Sequence, residues 1–100
     1  MIIARVKLFG SVHDVVDKTV DEIELPDGAS VQDLISAMIS RYGEGFARRM
    51  LTPSGRLQMY TQIFVDGREV DYVRLDSPLV ADGRLSTDVE MFVVQQFIGG

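Results

Sequence analysis

The sequence contains no cysteine and a single histidine, and these two shortages exclude several kinds of chemistry. Without cysteine the chain has no disulfide, no thiolate ligand for a metal and no cysteine nucleophile. The histidine, His13, stands beside Asp14 in an expected loop, where a solvated side chain is far commoner than a catalytic or metal-binding one. A nucleophile–base pair or a metal site is therefore hard to assemble from these residues.

Motifs that hold phosphate or activate a serine are also missing. The chain has no G-x-x-x-x-G-K-[ST], no G-x-G-x-x-G and no G-x-S-x-G. An acidic cluster lacks the glycine and the ligand spacing of a calcium loop, and we interpret it as a solvated rim. Its members are Asp14, Asp17, Asp21 and Glu22. We therefore expect a protein that carries something, binds no cofactor itself and is not an enzyme.

Long apolar runs are absent as well. The first residues lack the basic region and apolar stretch of a signal peptide, and no segment approaches the length of a membrane span. We therefore expect a cytoplasmic protein without a membrane partner. The net charge of −5 argues against a nucleic-acid binder and suits either solubility alone or a partner with a basic docking surface. A length of 100 residues predicts one domain.

What the sequence does contain is alternation of apolar and polar residues, which predicts strands. Ala4, Val6 and Leu8 alternate with Arg5 and Lys7 in the first strand, which Gly10 is expected to end. The predicted strands cover residues 1–9, 19–25, 60–65 and 89–95, with a short return strand starting at 69–70. Turns are predicted at 26–28, 66–67 and 82–83, where proline, aspartate and glycine cluster, and one helical turn is expected at 12–17.

One segment has clear helical spacing. Ser30 is a predicted N-cap with Asp33 completing a capping box, and an apolar stripe follows until Gly43 and Gly45 end it. The stripe consists of Val31, Leu34, Ile35, Met38, Ile39 and Tyr42. A second, short helix is expected at 46–51. This element order favours an α+β roll of the β-grasp kind, a mixed sheet with one main amphipathic helix and with the first and last strands adjacent in its centre.

The side of the sheet without a helix is predicted to be partly apolar. If the inward positions are as assigned, Phe9, Phe64 and Phe92 all face outward, flanked by Arg5 and Lys7. An exposed aromatic patch of this kind is typical of a partner-binding surface. The alternatives are a register shifted by one residue, or irregular segments that cover this face.

The chain ends in Phe97-Ile98-Gly99-Gly100. Two final glycines offer a slim, flexible carboxylate that can enter a narrow channel and, once adenylated, act as an acyl donor. The other interpretation is a frayed end that happens to be glycine. We predict a folded domain at 1–94 and a flexible tail at 95–100 that reaches about 20 Å when extended. Phe97 and Ile98 either anchor this tail just outside the channel or cap the core.

These features together resemble one family. The β-grasp order, the turn VDGR at 65–68, the run DSPLVADG at 76–83 and the terminal Gly99-Gly100 are similar to the MoaD/ThiS sulfur carriers, prokaryotic relatives of ubiquitin. The resemblance covers nearly the whole chain. It implies a ubiquitin-like β-grasp fold and places the functional group at the C-terminus.

The resemblance also implies a reaction and its partners. A MoeB-like enzyme would use ATP to adenylate the carboxylate of Gly100, and a sulfur donor would convert the adenylate to a thiocarboxylate. In the molybdopterin-synthase member the carrier is the small subunit, and its tail enters a MoaE-like large subunit. We take this role in molybdenum cofactor biosynthesis as the first expectation. Partner contacts are then expected from Phe9, Phe64, Phe92, Phe97 and Ile98, beside Gly99.

Two departures leave the acceptor pathway open. Many small subunits of molybdopterin synthase have prolines just before the Gly-Gly pair, where this chain has VQQFI at 94–98. The segment 43–59 is longer than in the shortest members and is similar to CysO-like ones. The alternatives are a CysO-like carrier for cysteine synthesis, a ThiS-like carrier for thiamine synthesis, and a ubiquitin-like modifier that ends on a lysine. A plain binding module with an inert tail is a further alternative.

Overall fold

The structure is a computed structural model that describes residues 1–10, 12, 16, 19–71, 75–80 and 83–93. Five strands and two helices are defined among them. They are β1 (Ile2–Gly10), β2 (Val20–Leu25), α1 (Val31–Tyr42), α2 (Glu44–Met50), β3 (Thr61–Val65), β4 (Arg68–Glu69) and β5 (Ser86–Val93). The predicted α+β class with a mixed sheet and one main helix is confirmed. Neither helix in this part of the chain is long and apolar enough to cross a membrane.

The sheet has the strand order β2-β1-β5-β3-β4. β1 runs antiparallel to β2 and parallel to β5, and β3 is antiparallel to both β5 and β4. The first and last strands therefore lie side by side in the centre, as the element order predicted. β5 begins at Ser86, three residues before the predicted start. The prediction missed these residues because the inward position there is occupied by Thr87, a buried polar residue that interrupts the expected apolar alternation.

The core lies between the inward face of the sheet and the helices. In β1 every second side chain is buried, and the burial pattern matches the predicted strand periodicity. In α1 the buried positions are Val31, Leu34, Ile35 and Met38, and Ile39 and Tyr42 pack partly against them. The predicted turn at 12–17 falls mostly outside the described residues, but the amide of Val16 donates to the carbonyl of Val12 at 3.2 Å and both side chains are buried.

The ends of α1 follow from local hydrogen bonding. The Ser30 hydroxyl accepts from the amide of Asp33 at 3.1 Å, and the Asp33 carboxylate accepts from the amide of Ser30 at 2.9 Å. The predicted capping box is confirmed. Gly43 ends the helix with φ +84°. The prediction that Gly45 also ends α1 is wrong. The chain changes direction at Gly43 alone, and α2 starts at Glu44, so Gly45 lies inside that second helix. α2 buries Phe46 and Met50.

Asp21 corrects the prediction of a solvated acidic rim. Its side chain is only 8% exposed, because it shares the inward face of β2 with Ile23 and Leu25. The end of α1 brings the Arg41 guanidinium to 2.9 Å from its carboxylate, and the Tyr42 hydroxyl donates to the same oxygen. Burial raises the pKa of Tyr42, and the neighbouring carboxylate raises it further. Glu22 remains exposed on the other face, while Asp14, Asp17 and His13 lie outside the described residues.

Candidate functional site: the aromatic face and the root of the C-terminal segment

Three phenylalanines from three adjacent strands meet on the outward side of the sheet. The register pairs Phe9 of β1 with Phe92 of β5, and Phe64 of β3 lies two positions along from Gln62, the residue that pairs with Phe92. The rings of Phe9 and Phe92 stack with centroids 4.5 Å apart and planes 9° apart. Phe64 meets Phe92 edge to face, with centroids 5.6 Å apart. We call these three residues the aromatic face.

The predicted register is therefore confirmed, and the alternative of a shift by one residue is excluded. Phe9 is 36% exposed, and Phe64 and Phe92 are half-buried, chiefly against one another. Tyr60, just before β3, is also 36% exposed. Aromatic pairs in these geometries are worth about 0.5–1.5 kcal/mol beyond the area that they bury. The cluster presents a partly exposed apolar surface, and its role in binding a partner remains a prediction.

Charged residues lie next to the aromatic face, on the same outward side of the sheet. Arg5 and Lys7 precede Phe9 at alternate positions, as predicted. The register places Arg5 opposite Glu22 and Asp88, and Lys7 opposite Glu90. The guanidinium of Arg5 lies 4.0 Å from the Glu22 carboxylate, with both side chains 59% exposed. The alternation that points Phe92 outward in the sequence does the same for Glu90, as predicted, and it also applies to Asp88, which sequence reasoning did not assign to the face.

The described part of the chain ends beside the aromatic face. Val93 is the last described residue of β5, fully buried, and it pairs with Gly10 on one side and Thr61 on the other. Phe92 immediately precedes it. Residues 94–100 lie outside the described residues, and the predictions for Phe97, Ile98, Gly99, Gly100 and the domain boundary at 94 remain predictions. Seven residues span at most about 25 Å when fully extended.

Asp66 fixes the hairpin that carries Phe64. It and Gly67 form the predicted turn with φ +49° and +85°, the left-handed conformation that two-residue hairpin loops require. Its carboxylate accepts from the amide of Asp88 at 3.0 Å, the hydroxyl of Thr87 at 2.9 Å and the guanidinium of Arg84 at 3.1 Å. The turn VDGR, which the family resemblance used, therefore ties β3 to β5.

The same contacts set the ionisation of Asp66. Burial alone would raise its pKa, but the hydrogen bonds from Asp88 and Thr87 and the charge of Arg84 outweigh that effect. The pKa therefore lies below its ordinary value. The carboxylate is already occupied by its donors, which makes it a structural group and a poor candidate for acid–base catalysis.

A surface groove of about 860 Å³ runs between this hairpin and the segment 77–80. Its lining includes Asp66, Arg84 and Glu69. Asp66 and Arg84 bond to each other, and Glu69 accepts from the Gln62 amide at 3.3 Å. Across the described ranges, no group of three or more histidine, cysteine or acidic side chains is placed to hold a metal ion. The groove therefore has charged walls in which Asp66, Arg84 and Glu69 are hydrogen-bonded to neighbouring side chains.

The sequence matches no protein-family model and no curated protein. Solved structures are nevertheless similar over almost the whole length of both chains. SAMP1 from Haloferax volcanii is 17% identical, with 98% of this chain and 99% of that chain covered and a TM-score of 0.75. A putative molybdopterin converting factor, subunit 1, from Pyrococcus furiosus is 24% identical, with coverages of 95% and 100% and a TM-score of 0.68.

CysO from Mycobacterium tuberculosis is 17% identical, with 92% of this chain and 99% of that chain covered and a TM-score of 0.67. Likeness at such low identity reports the arrangement of helices and strands and not the activity. All three share the mixed sheet described above. In this chain the aromatic face lies on the side of that sheet away from the helices. The chain therefore has the ubiquitin-like β-grasp fold that its sequence predicts.

Proposed function

We propose that this protein is a ubiquitin-like sulfur carrier whose Gly100 carboxylate is activated and converted to a thiocarboxylate. One observation carries the proposal: the segment that ends in Gly99-Gly100 starts at Val93, directly beside an exposed aromatic face on a β-grasp domain. An activating enzyme that docks on this face would find the carboxylate within a tether of about 25 Å.

The chemistry follows from the carboxylate alone. A carboxylate oxygen of Gly100 attacks the α-phosphorus of ATP on the activating enzyme, and pyrophosphate leaves. A sulfur donor then attacks the carbonyl carbon of the acyl adenylate, and AMP leaves with the electron pair of the broken carbon–oxygen bond. With sulfide as the donor, loss of the proton on sulfur then leaves a thiocarboxylate on Gly100. The protein supplies a docking surface and a side-chain-free end, and its partner supplies the catalytic groups.

For the acceptor, we propose the role of small subunit of molybdopterin synthase, with a MoeB-like activating enzyme and a MoaE-like large subunit as partners. The fold shared with the Pyrococcus furiosus converting factor supports this choice. The likeness to CysO from Mycobacterium tuberculosis and to a chain of the BexX/CysO complex from Amycolatopsis orientalis supports a CysO-like carrier as the second candidate. A cytoplasmic location is part of the same proposal.

The likeness to a small archaeal modifier protein from Haloferax volcanii supports a protein modifier as a further candidate. In that role the same adenylate would pass to a lysine and form an isopeptide bond. The two roles share the activation step and separate at the next one. Lysine conjugates in cell extracts that vanish when Gly100 is deleted would favour the modifier.

The deciding experiment is the intact mass of the purified chain before and after incubation with ATP, a MoeB-like enzyme and a sulfide source. We expect a gain equal to the exchange of one oxygen for one sulfur. Two controls keep the fold and change the end: a chain that lacks Gly100, and a chain with one alanine added after Gly100. Neither control should gain mass. No gain in the folded wild-type chain with several such enzymes would contradict the proposal and favour a plain binding module.

A further inference from the structure

The positive charge of the chain is concentrated in one stretch. Residues 34–65 contain one acid, Glu44, and four arginines, which gives them a net charge of +3 in a chain whose overall net charge is −5. The four are Arg41, Arg48, Arg49 and Arg56. Three of them are exposed, and Arg49 is half-buried. The other residues together carry a net charge of −8, so this basic stretch stands out within an acidic chain.

Within the described residues, two of the four arginines are firmly bonded and two are not. Arg41 and Arg49 donate hydrogen bonds to neighbouring oxygens. Arg48 meets Glu44 at 3.7 Å, with the two side chains 79% and 84% exposed. No hydrogen bond or ion pair joins the side chain of Arg56 to another described residue. The charges of Arg48 and Arg56 are therefore available to a partner, because a long, exposed ion pair holds little energy.

The end of α2 is fixed beside the end of the sheet where β5 finishes. The side-chain amide of Gln58 donates to the carbonyl of Arg48 at 3.3 Å. The hydroxyl of Thr61 donates to the carbonyl of Arg49 at 3.1 Å. Thr61 pairs in turn with Val93, the last described residue of β5. Hydrogen bonds therefore hold the backbone of these two arginines close to the end of β5.

A surface groove of about 460 Å³ lies between α2 and the segment 51–58. Its lining includes Arg48 and Gln58. Just after Gln58 the chain presents Met59, which is 89% exposed, and Tyr60, which is 36% exposed. Arginine, methionine and tyrosine are residue types that are enriched at protein–protein interfaces. We call this groove, together with Arg48, Arg56 and Met59, the α2 surface.

We propose that the α2 surface is a second docking site, for a protein that presents carboxylates to it. Resting this on the proposed function, we take that protein to be the activating enzyme, because an enzyme that engages the end of the chain comes close to the end of β5. Carboxylates on the enzyme are attracted to Arg48 and Arg56 and repelled by the acidic remainder of the chain, so they steer the approach and select this orientation. A nucleic acid is disfavoured, because its run of phosphates would also meet that acidic remainder.

The chain contains a matched control for Arg56. Arg68, in β4, is also exposed, and no hydrogen bond or ion pair joins its side chain to another described residue. It pairs with Val65, at the opposite end of β3 from Thr61. Arg56→Glu and Arg68→Glu therefore make the same change in net charge at different ends of the sheet. Only the first alters the α2 surface, so a difference between the two variants reports on that surface.

The first arm of the test measures the surface potential without a partner. Nuclear magnetic resonance records the paramagnetic relaxation of backbone amides with an anionic nitroxide, carboxy-PROXYL, and with a cationic one, aminomethyl-PROXYL. We expect the anionic probe to relax the amides of 48–59 more strongly than the cationic probe does. Arg56→Glu should abolish that preference, and Arg68→Glu should keep it. No preference for the anionic probe at 48–59 in the wild type would overturn the proposal.

The second arm uses ATP–pyrophosphate exchange by a MoeB-like enzyme that acts on the wild-type chain. We expect KM for the chain to rise by roughly three- to tenfold in Arg56→Glu and to change by less than about twofold in Arg68→Glu, with kcat unchanged in both. The rise should shrink at high ionic strength, because salt screens exposed charges. Equal KM values for the two variants would overturn the proposal, whereas no exchange with the wild type would contradict the proposed function.

A change of the opposite sign makes this arm sharper. Glu44→Gln removes the only acid of the stretch 34–65, and the Glu44 side chain is 84% exposed, so the fold should be kept. KM should fall by roughly twofold in this variant. A rise in KM in both Glu44→Gln and Arg56→Glu would mean that these variants act through structure and not through charge, and it would overturn the proposal.

A titration with a short single-stranded RNA tests the other class of partner. We expect no shift of the amide resonances of 48–59 at physiological ionic strength. Saturable shifts confined to 48–59, which Arg56→Glu removes and Arg68→Glu keeps, would assign the α2 surface to nucleic acid and overturn the proposal.

Discussion

The two faces of the central strands β1 and β5 solve different problems with the same backbone. On the inward face, side chains such as Ala4, Val6 and Met91 are fully buried, and each position is defined by the helix packed over it. On the outward face, Phe9 and Phe92 remain partly exposed and pack mainly on one another. The inward face therefore determines whether the chain folds, and the outward face is available to determine what the folded chain binds.

The largest effect is expected from the inward side. Phe46 of α2 is completely buried, and Phe46→Ala removes a large ring from the core. We expect a loss of about 3–5 kcal/mol in the free energy of unfolding, measured by urea denaturation. The comparison predicts that KM for the activating enzyme, per folded molecule, stays unchanged. A large KM effect in the folded fraction would mean that the two faces are not independent.

The outward side should show the reverse. Phe92→Ala removes the ring that contacts both Phe9 and Phe64. We expect a loss of about 2 kcal/mol in partner binding, about a thirtyfold rise in Kd measured by titration calorimetry. The free energy of unfolding should fall by about 1–3 kcal/mol, because Phe92 makes two aromatic pairs. A loss confined to stability, with binding intact, would exclude the aromatic face as the docking surface.

Asp66 links the two faces, and its effect should depend on pH. Because its pKa is lowered in the folded state, it contributes stability that is fully present above its ordinary pKa and is lost as the pH falls through the folded-state value. We expect Asp66→Asn to cost about 1 kcal/mol at neutral pH. The cost should shrink below about pH 4, as the wild-type carboxyl is protonated.

Urea denaturation of both proteins between neutral and acid pH checks this prediction. A cost that is the same at pH 3 as at pH 7 would mean that the ionised carboxylate contributes nothing beyond its shape. Binding to the partner should change little in the Asn variant at neutral pH, since Phe64 stays on its strand.

The smallest effect is expected at Arg5, whose ion pair with Glu22 is long and exposed. Arg5→Ala should change the free energy of unfolding by less than about 0.5 kcal/mol. It should alter the salt dependence of partner binding more than binding itself, since exposed charges act mainly on association. Stopped-flow association rates at two ionic strengths measure this. A loss of more than about 1 kcal/mol in the free energy of unfolding would mean that Arg5 contributes to folding as the inward residues do.

The features that sequence reasoning found are local. Alternation in β1, the capping box of Ser30 and Asp33, and the Asp66-Gly67 turn depend on a few neighbouring residues, and each is present as predicted. The contact among the three phenylalanines was also predictable from the sequence. The alternation within each strand showed which residues face outward, and the β-grasp order showed which strands are adjacent.

The features that it missed depend on distant partners. Asp21 reads as a solvated acid until α1 brings Arg41 and Tyr42 over it from twenty residues away. The early start of β5 depends on the hydrogen bond that the Thr87 hydroxyl donates to the carboxylate of Asp66. The need for glycine at position 10 comes from the carbonyl of Val93, 83 positions further along the chain, because a Cβ on Gly10 would collide with its oxygen, and no local pattern records it.

The position of β5 between β1 and β3 has a consequence for synthesis. The strand that joins the two halves of the sheet is the last of the described strands to be synthesised, so the sheet can close only after β5 has been made. Contacts between strands so far apart in sequence also make folding comparatively slow. A partner that recognises Phe9 stacked on Phe92 would therefore recognise only chains in which β5 has joined the sheet.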